Sequence, residues 1–495
     1  MSTLSQHSRA VIGTLVHAPR FGELEIVTRG ALVYDGNGII TRVLKDTEVL
    51  DGDLRAALAL DPLLDEVVDY GTKLVLPGLV DAHCHAPQYV FTGTGMDLPL
   101  LEWLNKYTFP CESRFKDLEF ARLAYTKAVS RHLSFGTTFC SYFGTIHGAA
   151  ADLLVDIAED LGQRAFVGKV SMDRNSPDFY IEDTSRGVQD ACDFAVRTLR
   201  RYPAGARLVE AADADPTSIF RPERSLLNSP HEVPLVLPCV TPRFVPTCTA
   251  EMLTKLGVLS AKYGLPMQSH LSESTGEIAW VRELHPECSS YAQVYHQFGL
   301  LHTGAFMAHC IHSDDEERRL LLSTGCGVVH CPSSNFNLMS GVMDCRRFLA
   351  EGVKVGLGTD VAGGHSPSML DAIRQAIVAS TVTALRHKEG GSGEAGPAPL
   401  SYKEALYLAT MGSAQVLNMD KVVGSLEVGK KLDVLVVDVD SPGSAIDCFG
   451  REDVEERVQK WLFLGDDRNL HAIYVDGRQV KAPRPSECRS DVTGR

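Results

Sequence analysis

The sequence predicts an α/β protein, a TIM-like (β/α)8 barrel combined with a small composite β-sandwich domain built from the N- and C-terminal segments. Eight apolar, strand-length runs alternate with helical patterns in the middle of the chain. β-like segments with turn residues occupy both ends instead. These two observations place the barrel between two halves of the smaller domain.

The N-terminal segment contains short β-like pieces, such as residues 24–27 and 30–34, and a turn at residues 35–38. Strand and turn patterns return near the other end, at residues 431–438 and 471–477. We therefore predict that residues 1–73 and 416–495 form the two parts of the β-sandwich domain, the second with a tail. Residues 74–415 are then predicted to form the barrel.

The predicted barrel strands are short apolar runs, and amphipathic patterns separate most of them. The strands lie near residues 74–83, 136–143, 164–171, 235–241, 266–271, 305–310, 326–331 and 353–359. The helical patterns cover residues 118–133, 149–161, 189–201, 250–263 and 314–323. Eight such strands are the number that closes a barrel. Two polar or Gly/Pro-rich stretches, 211–233 and 388–399, are predicted to be mobile surface insertions.

Composition restricts the partners of the protein. The formal net charge of -15 over 495 residues argues against a nucleic-acid partner, because no surplus of Lys and Arg exists to displace counterions. A small ligand fits this charge better. No apolar run reaches the length of a signal peptide or a membrane span, so we predict a cytoplasmic protein without a membrane partner. The 13 cysteines occur singly and are expected to be reduced.

The candidate metal ligands begin with a His-x-His pair, His83 and His85, at the end of the first barrel strand. Successive side chains alternate on a strand, so both imidazoles project to the same side. Later strands end in His270, His309 and Asp360. Three imidazoles, one carboxylate and a water are the usual ligands of a mononuclear divalent metal site. Because the C-terminal strand ends of a barrel share one face, we expect a metal site there.

The same residues suggest a hydrolytic mechanism, in which a metal lowers the pKa of water from 15.7 to about 7. Asp360 is a candidate base for that water, and Glu273 a candidate proton carrier to the leaving group. Alternative interpretations remain open: His309 as a core histidine and Glu273 as a helix cap. Cys84 points away from the histidines and is predicted to lie in the core. Residues 235–244 contain no lysine that could bridge two metals, which favours one.

Longer motifs resemble known proteins. Residues 77–85 (PGLVDAHCH) and 424–433 (GSLEVGKKLD) resemble the metal motif and the C-terminal signature of the amidohydrolase superfamily. Residues 86–89, 97–110, 241–244 and 330–335 resemble the guanine deaminase family within it. The resemblance implies one Zn²⁺ per subunit, hydrolytic loss of ammonia from C2 of guanine to give xanthine, and a homodimer.

The resemblance also implies roles for individual residues. The implied metal ligands are His83, His85, His270 and Asp360; the implied catalytic residues are Glu273, Asp360 and His309; and the implied substrate contacts are His85, Gln88, Arg243, Phe244, His270, Glu273 and Asp360. Arginine can address the O6 and N7 acceptors of guanine, and phenylalanine can cover its ring. Two alternatives stay open: another deaminase or hydrolase of the superfamily acting on a related heterocycle, and a scaffold without activity, which would have lost ligands.

Overall fold

The structure is a computed structural model that describes residues 8–48, 53–59, 61–62, 64–214, 229–389 and 397–481. The strands are β1 (Ser8–His17), β2 (Glu25–Tyr34), β3 (Ile40–Lys45), β4 (Leu64–Pro77), β5 (Leu79–His85), β6 (Thr137–Phe143), β7 (Arg164–Gly168), β8 (Val170–Ser171), β9 (Val236–Pro238), β10 (Thr241–Pro242), β11 (Met267–Leu271), β12 (Ala305–His309), β13 (Gly327–His330), β14 (Val355–Leu357), β15 (Val434–Val437), β16 (Leu470–Val475) and β17 (Arg478–Lys481).

The α-helices are α1 (Leu54–Ala59), α2 (Leu100–Trp103), α3 (Phe109–Glu112), α4 (Leu118–Ser134), α5 (Gly148–Leu161), α6 (Thr184–Arg200), α7 (Pro203–Ala214), α8 (Ala250–Tyr263), α9 (Thr275–Leu284), α10 (Tyr291–Gln297), α11 (Asp315–Thr324), α12 (Pro332–Asn337), α13 (Cys345–Ala350), α14 (Met369–Glu389), α15 (Tyr402–Tyr407), α16 (Ser413–Val416) and α17 (Val454–Leu464). Short 3-10 helices include Ala86–Phe91, and π-helical turns span Leu104–Thr108 and Leu408–Gly412. Among the described residues, none of the helices has the length and apolar character needed to cross a bilayer.

Both chain ends contribute to one seven-stranded sheet, whose order is β17-β16-β15-β4-β1-β2-β3. β1 and β4 are parallel, and the other neighbours are antiparallel. The two ends meet where β4 pairs with β15, from Val434 opposite Pro77 to Val437 opposite Leu74. The predicted composite module is therefore present as a sheet, and its description as a two-layer sandwich stays a prediction.

The middle of the chain forms two four-stranded parallel sheets, β5-β6-β7-β9 and β11-β12-β13-β14. A parallel bridge between Val240 and Met267 joins them on one side. On the other side the backbone N–H of Asp360 donates to the carbonyl of His83 at 2.9 Å. These eight parallel strands with their intervening helices give the mixed α/β architecture of a TIM-type barrel.

Five of the eight predicted strands agree closely with single observed strands. The predicted strands at 164–171 and 235–241 each contain a barrel strand, β7 or β9, followed by a short strand, β8 or β10, and β8 and β10 pair in a separate two-stranded parallel sheet. The first predicted strand, at 74–83, is also divided: Leu74–Pro77 ends β4 in the composite sheet, and β5 begins at Leu79. A Cβ on Gly78 would lie 1.9 Å from the Thr138 hydroxyl oxygen, so glycine permits the close approach to β6 where the chain passes from one sheet to the other.

The structure also bears on the predictions for one helix start, for the two insertions and for the cysteines. α6 begins at Thr184, five residues before the predicted 189. The stretches 211–233 and 388–399 lie in part outside the described residues, at 215–228 and 390–396, and their first residues complete α7 and α14. The 12 cysteines in the described part of the chain are free, and most of them are buried, as predicted.

Candidate metal centre and active site

Strand β5 places His83 and His85 on one side and Cys84 on the other. The Sγ of Cys84 lies 3.5 Å from the Nε2 of His132, away from the other two imidazoles, and is buried in the core as predicted. The imidazole of His83 is almost fully buried, like that of His85. The strand alternation thus directs both candidate ligands towards the same space.

The four predicted metal ligands converge. The Nε2 atoms of His83 and His85 lie 3.2 Å and 3.4 Å from Oδ1 of Asp360. The Nε2 of His85 lies 3.1 Å from the Nε2 of His270. Tetrahedral ligands of a zinc-sized ion lie at about this separation, given metal–nitrogen distances of about 2 Å. Two overlapping sets of these side chains, His83 with His85 and Asp360, and His83 with His270 and His309, bring their ligand atoms close enough to hold a metal ion, and we refer to them together as the metal-binding group.

Hydrogen bonds to the opposite ring nitrogens orient two of the imidazoles. The Nδ1 of His270 lies 2.6 Å from the backbone carbonyl oxygen of Arg243, which can only accept, so Nδ1 holds the proton and Nε2 presents its lone pair. The Nδ1 of His309 lies 3.0 Å from the amide oxygen of Asn335. The Nε2 of His309 then faces Glu273 and Asp360, at 3.5 Å and 3.7 Å.

The electrostatics suit a cation. Burial lowers the pKa of His85 and of His270 well below the usual value, which keeps both rings neutral and able to act as ligands. Burial opposes ionisation of Asp360, but the hydrogen bond and charge of His83, together with the charge of His309, outweigh it and hold the pKa of Asp360 below its usual range. Neutral rings at His85 and His270 beside an ionised Asp360 are the protonation states that those three side chains need to bind a divalent metal.

The backbone turns sharply at the strand ends that bring these residues together. His309 has a φ of 73° and Asp360 a φ of 48°, in the left-handed region that non-glycine residues rarely adopt. Ser272, next to Glu273, has a φ of 49°. Such strained positions are maintained only where the surrounding contacts determine them, and they often accompany functional sites.

Asp81 ties the first and last barrel strands together behind the metal-binding group. Its carboxylate accepts hydrogen bonds from the backbone N–H of Thr359 at 3.0 Å, from the Thr359 hydroxyl, and from the N–H of His83 at 3.2 Å. The next residue after Thr359 is Asp360, so these bonds hold two ligands in register.

Glu273 projects into the site from the connection between β11 and α9. Ser340 donates its hydroxyl to Oε1 of Glu273 at 3.0 Å, and burial raises the pKa of Glu273. The N-cap of α9 is Ser274, in a capping box with Glu277, whose carboxylate also accepts the N–H of Glu273 at 3.1 Å. Glu273 itself is thus not the helix cap, and its side chain is directed towards His309.

A narrow cavity adjoins the metal-binding group. It is lined by His85, Gln88, Leu100, Trp103, Leu104, Arg243, Phe244, His270, Glu273, Glu277, His309, Leu338 and Asp360. Every predicted substrate residue lies in this wall. Helix α2 and the π-helical turn after it contribute the apolar side of the cavity, which suits a flat ring.

Glu112 is a residue of the site that the sequence reasoning missed. Glu112 is fully buried. Its carboxylate accepts hydrogen bonds from both terminal nitrogens of Arg243, at 2.6 Å and 3.1 Å, and from the amide nitrogen of Gln88 at 3.0 Å. The predicted fork of Arg243 is therefore directed at Glu112. Glu112 lies two residues after the motif at 97–110, and that proximity was the available signal.

Two further histidines lie near the site. The Nε2 of His312 donates to the backbone carbonyl oxygen of Ser340 at 2.8 Å, and the Nδ1 of His365 lies 3.0 Å from the Ser333 hydroxyl oxygen. Both lie outside helices and strands. Neither residue lines the cavity.

Comparison with known proteins agrees with this geometry. The family model described as "Amidohydrolase family" matches residues 74–480. The chain therefore belongs to the amidohydrolase family.

Several guanine deaminases are among its relatives in that family. The guanine deaminase of Dictyostelium discoideum is 41% identical over 475 residues, covering 95% of this chain and 97% of the relative. The human guanine deaminase is 40% identical over 414 residues, covering 82% and 83%. The crystal structure of guanine deaminase from C. acetobutylicum with bound guanine in the active site is 34% identical, with a TM-score of 0.80 over 95% of this chain and 99% of that chain.

Proposed function

We propose that this protein catalyses the hydrolytic deamination of guanine at C2, which gives xanthine and ammonia. The observation that supports this most directly is the convergence of His83, His85, His270 and Asp360 beside Glu273, in a chain that is 41% identical to a guanine deaminase over 475 residues. Every implied ligand is present, which is unfavourable to the scaffold alternative.

The metal is Zn²⁺, one per chain, held by His83, His85, His270 and Asp360. Nitrogen and carboxylate donors are the ligands that zinc prefers in catalytic sites. When bound, zinc would supply the Lewis acidity that brings the pKa of water from 15.7 to about 7. The lack of a lysine between residues 235 and 244 supports one metal, because no carbamylated side chain is available there to bridge a second.

The acid–base residues divide the proton transfers between them. Asp360, besides binding metal, takes the proton of the attacking water, and His309 hydrogen-bonds that water with its Nε2. Glu273, 3.5 Å from the same nitrogen, carries a proton to the departing amine. Carboxylates with shifted pKa values near the reacting atoms are the usual groups for such transfers.

The base occupies the cavity beside the metal-binding group. Phe244 covers the ring, while Gln88 and Arg243 hydrogen-bond its polar edge. His85, His270, Glu273 and Asp360 contact the C2 end, where the chemistry takes place. The burial of Gln88 and Arg243 in the cavity wall supports these assignments.

The larger organisation belongs to the same proposal. From the family we expect a barrel at 74–415 and a composite domain of sandwich form at 1–73 and 416–495. We also expect a cytoplasmic location and a homodimer. The pairing of β4 with β15 supports the composite domain.

The test is ammonia release from guanine, adenine and cytosine by the purified full-length protein, with the guanine product identified as xanthine. We expect turnover of guanine and little of the other two. Elemental analysis of the same preparation should find about one zinc per chain. Activity only towards cytosine or adenine, or two metals per chain, would contradict the proposal.

A further inference from the structure

The inference concerns Glu112, at the C-terminal end of α3, and rests on the proposed function. Its carboxylate accepts hydrogen bonds from three side chains: Arg243 at both oxygens (2.6 Å and 3.1 Å), Gln88 at Oε1 (3.0 Å) and the Tyr180 hydroxyl at Oε2 (2.7 Å). Each oxygen thus accepts two hydrogen bonds. A carboxylate has about four lone-pair sites, so Glu112 has no capacity left for a ligand.

Glu112 fixes the orientation of the Gln88 amide. An ionised carboxylate can only accept, so the Gln88 group that faces it must be the NH2. The opposite group faces the backbone N–H of Ala362 at 3.2 Å and must therefore be the oxygen. The amide cannot turn over without placing oxygen against carboxylate and N–H against N–H. The second N–H of the NH2 and the second lone pair of the oxygen remain for further hydrogen bonds, in directions that this orientation fixes.

Glu112 also determines which part of the Arg243 guanidinium is available. The two terminal nitrogens each give one N–H to the carboxylate, so the end-on fork is occupied. The Nε–H and the outer hydrogen of each terminal nitrogen remain, and no hydrogen bond from Nε is present within the described residues. A guanidinium has no acceptor, so Arg243 offers the cavity donors alone.

We infer that Glu112 is a positioning residue that determines substrate specificity. By binding Gln88 and Arg243 together, it makes both cavity-lining side chains present N–H groups to the ligand. A purine edge with a 6-oxo group supplies an acceptor for these donors, whereas a 6-amino group would place N–H against N–H. The arrangement therefore selects 2-amino-6-oxopurines and excludes 2,6-diaminopurines.

Charge supports the same selection. The Arg243 guanidinium is nearly inaccessible to solvent and would be costly to bury alone. Paired with Glu112 it is neutral overall, which suits an uncharged base. A purely structural ion pair would explain this neutrality but not the fixed direction of the Gln88 amide, and the two explanations predict different kinetics.

The experiment compares guanine with 2,6-diaminopurine, both of which carry the 2-amino group that is removed. For the unaltered protein we expect kcat/KM for guanine to exceed that for 2,6-diaminopurine by roughly 10⁴-fold, the discrimination typical of sites that hydrogen-bond a specific substrate group. This measurement needs no variant. Equal kcat/KM values for the two bases would overturn the inference even if Glu112 variants failed to fold.

The variant Glu112→Gln keeps the volume but has one acceptor oxygen and an NH2. It cannot accept from Gln88, Tyr180 and both nitrogens of Arg243, so at least one of the base-binding groups must turn. We expect kcat/KM for guanine to fall by about 100-fold, mainly through KM, and the preference over 2,6-diaminopurine to fall at least about tenfold. A parallel loss for both bases, with the preference unchanged, would mean that Glu112 is only structural.

Two controls separate positioning from stability. Glu404→Gln removes a carboxylate that forms a similar bidentate pair with Arg346, at 2.7 Å for both bonds, far from the cavity lining, and should leave the preference unchanged. Tyr180→Phe removes one donor to Glu112 but neither base-binding contact, and should keep most of the preference. Zinc content should be the same in all variants, because none of the altered residues is a ligand.

The test distinguishes this inference from the proposed function. If the unaltered protein deaminates guanine but the Glu112 variant keeps its preference, the inference alone fails. If the unaltered protein does not deaminate guanine, the proposed function fails.

Discussion

Glu273 is the residue whose replacement most directly tests the proton path. Glu273→Gln keeps the hydrogen bond from Ser340 possible but cannot release or take a proton. Turnover of guanine should fall by at least about 100-fold, the usual contribution of a general acid–base group. The metal content should be unchanged, because the ligands are other residues. Activity and zinc analysis on the same preparation measure both effects.

Ser340→Ala provides the matched control for that change. It removes a hydrogen bond to Glu273 while the carboxylate remains, so turnover should fall much less than in Glu273→Gln. Near-normal turnover in Glu273→Gln itself would remove Glu273 from the proton path.

At this scale the sequence predicted single residues with distinctive chemistry. His83 and His85 are separated by one residue, and Asp360 follows an apolar run, so pattern alone brings them to one face of a barrel. Glu112 could not be predicted in this way. Its role depends on the meeting of α3, the 3-10 helix that carries Gln88 and the segment after β10 that carries Arg243. A glutamate on a short helix has no sequence pattern that distinguishes burial from exposure.

The start of helix α9 is the element on which the position of Glu273 depends. Ser274 accepts the N–H of Glu277 at 3.2 Å, and Glu277 accepts the N–H of Glu273 at 3.1 Å. Ser274→Ala should cost about 1 kcal/mol of stability, as usual for loss of an N-cap. It should also lower turnover, because the helix start holds the backbone of Glu273. Thermal unfolding and guanine kinetics measure the two effects.

Helix α15 offers the same capping box away from the site, formed by Ser401 and Glu404. Ser401→Ala should lose a similar amount of stability and keep full turnover. Equal turnover in Ser274→Ala and Ser401→Ala would show that the cap of α9 has no influence on Glu273.

The strands also show how far periodicity can predict elements. The isolated apolar runs, such as 266–271 and 305–310, correspond to single strands, β11 and β12. The run at 74–83 is equally apolar but serves two sheets, since the chain leaves β4 at Pro77 and enters β5 at Leu79. Hydrophobicity reports burial, and both sheets bury this run, so composition could not locate the boundary.

The whole molecule depends on the junction between the barrel and the composite sheet. Arg164, on β7 of the barrel, donates to both oxygens of Asp433, next to β15, at 2.8 Å and 3.1 Å. Both side chains are 1% exposed. Asp433 also accepts the N–H of Asp476 at 2.7 Å, which joins the start of the final hairpin turn to the same point.

Asp433→Asn should therefore destabilise the whole protein. It leaves the buried Arg164 guanidinium beside a neutral amide, with the longer contact to the Asp476 carboxylate, at 3.4 Å, as its remaining ion pair. Removal of one partner of a buried ion pair typically costs about 3–5 kcal/mol, so we expect a loss near the lower end, about 3 kcal/mol. Asp69→Asn is the matched control, because Asp69 forms a similar two-bond pair with Arg29, at 3.0 Å and 2.6 Å, in a partly exposed position. Exposed pairs contribute about 0–1 kcal/mol, so this change should be nearly neutral. Denaturant unfolding of both variants compares the two costs, and equal losses would show that the junction is not a special point of stability.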